Sequence, residues 1–131
     1  MPPSRRTDIV PFVLSPKDKP YRIAEEKLKP IAVGYGGCFA TDMITIHGRK
    51  IGFMYRQTPA TTQDSGWRFM SGFESDAYMN DPTNHGIFNV NTIANYDQEI
   101  IPLLDSPAGS AFERKDGEGP LVAVADFEAP E

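Results

Sequence analysis

The sequence predicts an α+β fold in a single domain, with a mainly antiparallel sheet and two or three short helices. Its 131 residues are enough for one domain with its own core. Segments that alternate apolar and polar residues outnumber segments with helical spacing. Strands and long helices do not alternate along the chain, so a parallel sheet built from βαβ units is not expected.

The chain is predicted to begin with a proline-rich basic arm at residues 1–30, followed by an α+β domain at residues 31–131. Residues 1–20 contain five of the twelve prolines. The arm has seven Lys or Arg against four Asp or Glu. Within it, the segment PYRIAEEKL at residues 20–28 has proline at the first helical position and predicts a short helix that ends before Pro30.

A hairpin is predicted next. The segment CFATDMITI at residues 38–46 is apolar and rich in β-branched side chains, which favours a strand. Gly48 follows in HGR, a composition typical of a tight turn. The segment KIGFMYRQ at residues 50–57 then alternates in the manner of a second strand. The two strands are expected to pair with each other.

The single tryptophan lies in a third predicted strand. Trp67, Phe69 and Phe73 fall on one side of an alternating segment, so all three are predicted to be core residues. Asp97 is predicted to cap a short helix that Pro102 limits to one or two turns. Further strands are predicted at residues 86–91, 110–114 and 121–127.

Charge and composition exclude several classes of protein. Residues 31–131 contain six basic side chains and fourteen acidic ones, and the whole chain has a net charge of −5. An acidic body repels phosphate backbones, so no nucleic acid is expected as a partner, whereas a basic protein is favoured. No apolar run reaches the ~20 residues that span a bilayer. The single cysteine, Cys38, fits a reducing compartment, and a cytoplasmic location is expected.

The motifs of known catalytic and metal sites are incomplete. Gly34, Gly36 and Gly37 resemble a phosphate-binding loop, but no Gly-Lys-Ser/Thr follows them. The segment that begins DPTNHG at residue 81 resembles a calcium loop, but Thr92 stands where the bidentate glutamate belongs. Pairing of Cys38 with a histidine stays open, although a buried structural thiol is commoner. We therefore expect a protein that is not an enzyme and needs no metal or cofactor.

A candidate partner-binding site lies in the segment ESDAYMND at residues 74–81. It combines three carboxylates with one aromatic ring and contains no basic residue. Aromatic and acidic side chains on a turn are typical of a surface that binds a basic protein. The residues predicted to contact such a partner are Glu74, Asp76, Tyr78 and Asp81.

Several longer motifs resemble a known bacterial family. They occur in the order GGCFATDMI, KIGFMYRQTP, DSGWRF, YMNDPTN and IIPLLDSPAGSAFER. Together they resemble immunity family thirty-three of polymorphic toxin systems, over about residues 37–114. The resemblance implies a binding protein that neutralises a toxin, and it brings no catalytic residues with it.

Three functional hypotheses follow. The leading one is a non-enzymatic cytoplasmic protein that occludes a basic toxin stoichiometrically. The second is a structural or regulatory module without a toxin partner, such as a homodimer that pairs through an exposed strand edge. The third is an enzyme or a small-ligand-binding protein with a pocket near Trp67, Arg56 and Arg68, in which the guanidinium groups hold a carboxylate or phosphate.

Overall fold

A six-stranded sheet organises the part of the chain that the computed structural model describes, residues 19–128. Its order is β4-β1-β3-β2-β5-β6. Four neighbouring pairs are antiparallel and the β1–β3 pair is parallel. The α+β class with a mainly antiparallel sheet is therefore confirmed, and the parallel pair makes the sheet mixed. The strands are β1 (Gly37–Thr41), β2 (Phe53–Arg56), β3 (Asp64–Met70), β4 (His85–Asn89), β5 (Ala111–Arg114) and β6 (Leu121–Ala123).

Helices are short throughout the described residues. The α-helices are α1 (Asp42–Thr45), α2 (Asp76–Met79) and α3 (Val90–Tyr96). Single 3-10 turns or short 3-10 helices occupy Glu25–Lys27, Pro82–Asn84, Gln98–Leu103 and Lys115–Gly117. The longest of them, Gln98–Leu103, begins at Asp97, whose side chain accepts a hydrogen bond from the amide of Glu99 at 3.1 Å. The predicted cap is confirmed.

The core lies on one face of the sheet. Successive side chains of a strand point to opposite faces of the sheet. The side chains of the central strands that point to the core face are buried. Side chains from α1, α3 and the Gln98–Leu103 helix complete the same apolar cluster. Its largest fully buried members are Trp67, Phe69, Ile44, Ile51, Met54, Ile93, Ile100 and Leu104.

The predicted hairpin is wrong. The first strand ends at Thr41, and α1 begins at Asp42. Ile44 of this helix is buried in the core, so tertiary packing outweighs the β-propensity of the segment. Gly48 has φ +74°, and its amide donates to the Ile44 carbonyl at 3.0 Å. This glycine closes the end of α1 instead of forming a hairpin turn.

The predicted strand around Trp67 is confirmed in its first part only. Trp67 and Phe69 are fully buried, as expected. Phe73, however, is 54% exposed, so its assignment to the core is wrong. The strand ends at Met70, and Gly72 has φ +92°, so the chain leaves the sheet before Phe73 could point inward.

The first described residues lie against the body of the domain. A single 3-10 turn at Glu25–Lys27 replaces the helix predicted for residues 20–28, because the residues that flank this turn are extended. Ile23 donates its amide to the Tyr96 hydroxyl at 3.1 Å, and Ala32 donates to Asn91 Oδ1 at 2.8 Å. Residues 19–32 are thus tied to α3. The rest of the predicted arm, residues 1–18, lies outside the described residues.

The later predicted strands are confirmed with shorter bounds. β4 falls within one residue of the predicted start, and β5 ends at the predicted Arg114. The last strand, β6, has only three residues. Phe127, which was predicted to extend it, instead packs across the sheet on Phe53 and Tyr55, with ring centroids 5.6 and 5.2 Å away.

Candidate functional site: the open face and the acidic turn

The face of the sheet opposite the core has apolar side chains in contact with solvent. The ladder places Phe39 beside Arg68 and Ile87, and Tyr55 beside Arg68. We call these four residues the open face. Phe39 is 38% exposed and Ile87 is 69% exposed. Large side chains exposed as neighbours are a feature of interaction surfaces, whereas scattered ones are ordinary.

Arg68 lies at the centre of the open face and is almost fully buried. Its guanidinium binds both carboxylate oxygens of Asp64, at 2.9 and 3.0 Å. It also stacks 4.5 Å from the centroid of the Phe39 ring. The hydrogen bonds from Arg68 hold the pKa of the Asp64 carboxyl well below its usual range, and the amides of Ala60 and Gly66 add to this effect. The Arg68 guanidinium, which is paired with Asp64, thus packs against the Phe39 ring and holds it in place.

A groove of about 680 Å³ runs along the side of the open face at β4. The apolar side chains that line it include Phe39, Ile87, Met79 and Pro82. Lys19 also lines it, but its ammonium is held by Asp42 at 3.0 Å and by the Thr83 carbonyl at 2.8 Å. The exposed part of the groove is therefore mainly apolar.

The predicted partner-binding segment borders this groove. We call residues 74–81 the acidic turn. Ser75 caps α2 by accepting a hydrogen bond from the Tyr78 amide at 3.0 Å. Asp81 caps the following turn, where it accepts hydrogen bonds from the amide and the hydroxyl of Thr83, and these bonds lower the pKa of its carboxyl. Asp76 and Asp81 are exposed, and Asp81 lies between Asn80 and Pro82, which line the groove.

Two of the four predicted contact residues are instead partly buried. Glu74 accepts hydrogen bonds from the Thr41 hydroxyl at 2.6 Å and from the amides of Ser71 and Gly72 at 2.8 and 3.0 Å. Burial raises the pKa of its carboxyl, but these hydrogen bonds outweigh burial and lower it overall. The Tyr78 hydroxyl is buried without a hydrogen-bond partner among residues 19–128, and burial raises its pKa. Glu74 therefore links the end of β1 to the acidic turn, whereas Asp76 and Asp81 face solvent.

The two arginines of the alternative pocket lie on opposite faces of the sheet. Arg56 pairs with Trp67 in the ladder, whereas Arg68 pairs with Tyr55. The Arg56 guanidinium donates to the carbonyls of Ser65 and Ser106, at 2.8 and 2.7 Å. Its charge is thus used within the fold, 5.7 Å from the centre of the buried Trp67 ring. The structure does not bring the two guanidinium groups to a shared cavity.

Cys38 and His85 also occupy structural positions. Cys38 is buried in the core, and burial raises the pKa of its thiol, which disfavours the nucleophilic thiolate. His85 Nε2 lies 2.9 Å from the Met79 carbonyl, and this contact joins β4 to the acidic turn.

Phe39, Ile87 and Met79 are the surface residues that the sequence interpretation missed. For Phe39 the signal was present in the alternation of β1, because this residue lies between the buried Cys38 and Ala40. That alternation shows which side chains share a face, but it does not show which face stays uncovered. Met79 lies in α2 and has no signal of this kind.

Within residues 19–128, no helix has both the length and the apolar character needed to cross a membrane. The same residues contain no cluster of three or more His, Cys, Asp or Glu side chains that could hold a metal ion.

A family model described as "Immunity protein Imm33 domain" matches residues 38–125. The match covers about two thirds of the chain and includes all six strands apart from the first residue of β1. No match was found among curated proteins or among solved structures. The description indicates, in general terms, a protein that neutralises a toxin. The resemblance inferred from the motifs is thereby confirmed, and the chain belongs to the Imm33 family of immunity proteins.

Proposed function

We propose that this protein neutralises a basic toxin in the cytoplasm by binding it stoichiometrically and covering its active site or substrate cleft, without catalysing a reaction. The observation that supports this proposal best is the apolar groove beside exposed carboxylates. Phe39 and Ile87 are exposed at the groove. The exposed Asp81 lies between Asn80 and Pro82, which line the groove, and the exposed Asp76 belongs to the same acidic turn. Family membership supports a toxin as the partner.

The two parts of this surface would have different roles in binding. Apolar anchors that lose contact with water contribute most of the free energy of association at protein interfaces. Exposed carboxylates at the border contribute less affinity, but they attract a basic partner and speed the encounter. The net charge of −5 acts in the same direction over longer distances.

Arg68 makes the apolar part of the surface rigid. Its guanidinium is fixed by Asp64 and lies against the Phe39 ring, so Phe39 loses little side-chain freedom on binding. A pre-organised ring at the centre of an interface is a favourable anchor, because the entropic cost of ordering it is met during folding.

The experiment begins with affinity capture of the toxin from the native host, using the tagged full-length chain. The activity of a fixed amount of purified toxin is then titrated with the immunity protein. Occlusion predicts a linear loss of activity that ends at one equivalent of protein, and recovery of activity when the complex dissociates.

The same titration separates binding from catalysis. An enzyme that modified the toxin would inactivate many equivalents over time, and the toxin would stay inactive after separation. Time-dependent inactivation at a small fraction of one equivalent would therefore contradict the proposal.

A further inference from the structure

The β4 strand is an edge of the sheet with backbone groups that the described chain leaves unpaired. It lies at the end of the strand order, and among the strands of residues 19–128 it pairs with β1 alone. The amide of Val90 donates to the Gly36 carbonyl at 2.9 Å, which fixes the phase of the antiparallel ladder. Gly86 and Phe88 then share hydrogen bonds with β1, because such pairs alternate along a ladder. The backbone groups of His85, Ile87 and Asn89 consequently point away from β1. The His85 amide donates to the Pro82 carbonyl, and the Asn89 carbonyl belongs to the first turn of α3. The described residues therefore leave the amide and carbonyl of Ile87, the His85 carbonyl and the Asn89 amide open to a partner strand.

This edge lacks the features that usually prevent strands from pairing between molecules. Natural sheets protect their edges with charged side chains, proline, bulges or very short strands. The β4 sequence HGIFN contains no charged carboxylate, lysine, arginine or proline, and its five residues pair with β1 in continuous register. The opposite edge is protected by its length, since β6 has only three residues and follows Pro120.

The three residues whose backbone groups point away from β1, His85, Ile87 and Asn89, can also pair with the same three residues of a second copy. In an antiparallel pairing about a twofold axis at Ile87, each Ile87 lies opposite the second copy's Ile87, and His85 lies opposite the second copy's Asn89. Antiparallel partners keep their side chains on the same face, so both isoleucines would lie on the open face. Each is 69% exposed in the single chain and has Phe39 as its neighbour on β1. Pairing would therefore join two apolar patches and would oppose no like charges.

From this geometry we propose that two copies of the chain associate through their β4 edges, with Ile87 at the twofold axis, to form one continuous twelve-stranded sheet. The two acidic bodies repel each other, so added salt strengthens this association by screening. The opposite trend is expected for a basic toxin, whose attraction weakens with salt. Salt dependence thus separates self-association from toxin binding.

Sedimentation equilibrium of the full-length chain, without any toxin, tests the proposal. We expect a concentration-dependent dimer. Ile87→Lys should weaken it by at least tenfold, because two ammonium groups would meet at the axis. Val122→Lys is the matched control, since Val122 is a 51% exposed apolar residue of the other edge strand and should leave the dimer intact.

A cysteine cross-link tests the register. Opposite residues of a hydrogen-bonded antiparallel pair lie about 5.5 Å apart at Cα, and their Cβ atoms are too far apart for an unstrained disulfide. A short bismaleimide linker should therefore join Ile87→Cys into a covalent dimer on a denaturing gel, whereas it should not join Val122→Cys. The parent chain is the background control, because Cys38 is buried.

Three results would overturn the proposal. One is a full-length chain that stays monomeric at all concentrations. Another is a dimer that is unchanged by Ile87→Lys and gives no cross-link through Ile87→Cys. The third is dimerisation only after residues 1–18 are removed, which would identify the protein's own first segment as the occupant of the edge. Ile87 also lines the groove proposed to contact the toxin, so the dimer and the toxin complex would compete for it. Sedimentation without toxin tests the dimer alone, and the titration of toxin activity tests the toxin proposal alone, so the failure of one is distinguishable from the failure of the other.

Discussion

At the scale of single residues, Trp67 shows how the only tryptophan of the chain serves the fold. Its indole Nε1 donates to the Leu104 carbonyl at 3.2 Å, so its polar group is satisfied while its ring is fully buried. Phe69 stacks on the Trp67 ring, with the ring centroids 5.9 Å apart. The Arg56 guanidinium lies over the same ring, 5.7 Å from its centroid. Trp67 thus connects β3 to the chain that follows the Gln98–Leu103 helix.

Replacing Trp67 with alanine should cost about 3–5 kcal/mol of unfolding free energy, because it leaves a large cavity and a carbonyl without its donor. Urea denaturation of the parent and the variant measures this loss. Val122→Ala, at an exposed apolar position, should change the free energy by much less. Native Trp67 fluorescence should also be blue-shifted from that of free indole. A Trp67→Ala variant with the denaturation midpoint of the parent would contradict this assignment.

The burial of Trp67 and Phe69 could be predicted from alternation, because residues two apart in a strand share a face. The role of Glu74 could not, since its carboxylate binds Thr41, which is 33 positions earlier in the chain. A carboxylate in an acidic stretch looks solvated until the fold brings a distant donor to it. Within the proposed contact segment, the sequence therefore did not separate the partly buried Glu74 from the exposed Asp76 and Asp81.

At the scale of elements, the strands could be located from sequence, whereas their partners could not. Hairpin pairing was the natural expectation for two neighbouring segments, yet β1 pairs with β3 and β4. Local propensity does not include the contact that decides this arrangement, the burial of Ile44 of α1 in the core. Long-range packing of this kind is the reason that the mixed sheet was not predicted.

A buried ion pair joins three elements at the other side of the sheet. Arg114 of β5 binds Asp97 at 2.9 Å and Glu99 at 2.8 Å, and it donates to the Ile51 carbonyl at 2.8 Å. Asp97 also accepts the amide of Ile51 at 3.1 Å. Both members of the Arg114–Asp97 pair are buried, so each compensates the charge of the other.

Asp97→Ala should therefore destabilise the protein by about 3–5 kcal/mol, because it leaves the Arg114 guanidinium buried and less well compensated. Glu99→Ala provides the matched control on the same guanidinium. Its side chain is 57% exposed, so its loss should destabilise the protein much less than the loss of Asp97. Thermal or urea unfolding of both variants gives the comparison, and equal losses would disprove the special position of Asp97.

At the scale of the whole molecule, the uneven charge distribution gives the acidic turn its expected role in association. Exposed charges contribute little to stability, but they act over about 8–10 Å at physiological salt and add to the field of the acidic body. Asp76 and Asp81 are the members of the acidic turn whose removal should alter this field without altering the fold. Asparagine at position 81 also preserves the helix cap.

The double variant Asp76→Asn with Asp81→Asn should slow association with the captured toxin and flatten its salt dependence. Stopped-flow rates across a salt series measure both effects. The control is the double variant Glu26→Gln with Glu118→Gln, which also removes two negative charges, but from exposed positions outside the acidic turn. It should slow association less. If the two double variants associate equally fast at every ionic strength, the acidic turn does not contact the toxin.

The position of β3 between β1 and β2 has a consequence for synthesis of the protein. β1 and β2 emerge from the ribosome before β3, and they are not neighbours in the sheet. No ladder of the described sheet can form until residues 64–70 have been translated. At about 5–20 residues per second, the interval from the end of β1 to the end of β3 is on the order of a few seconds. During that interval the core residues Ile44, Ile51 and Met54 have no paired sheet to pack against, so their burial has to wait until β3 is available.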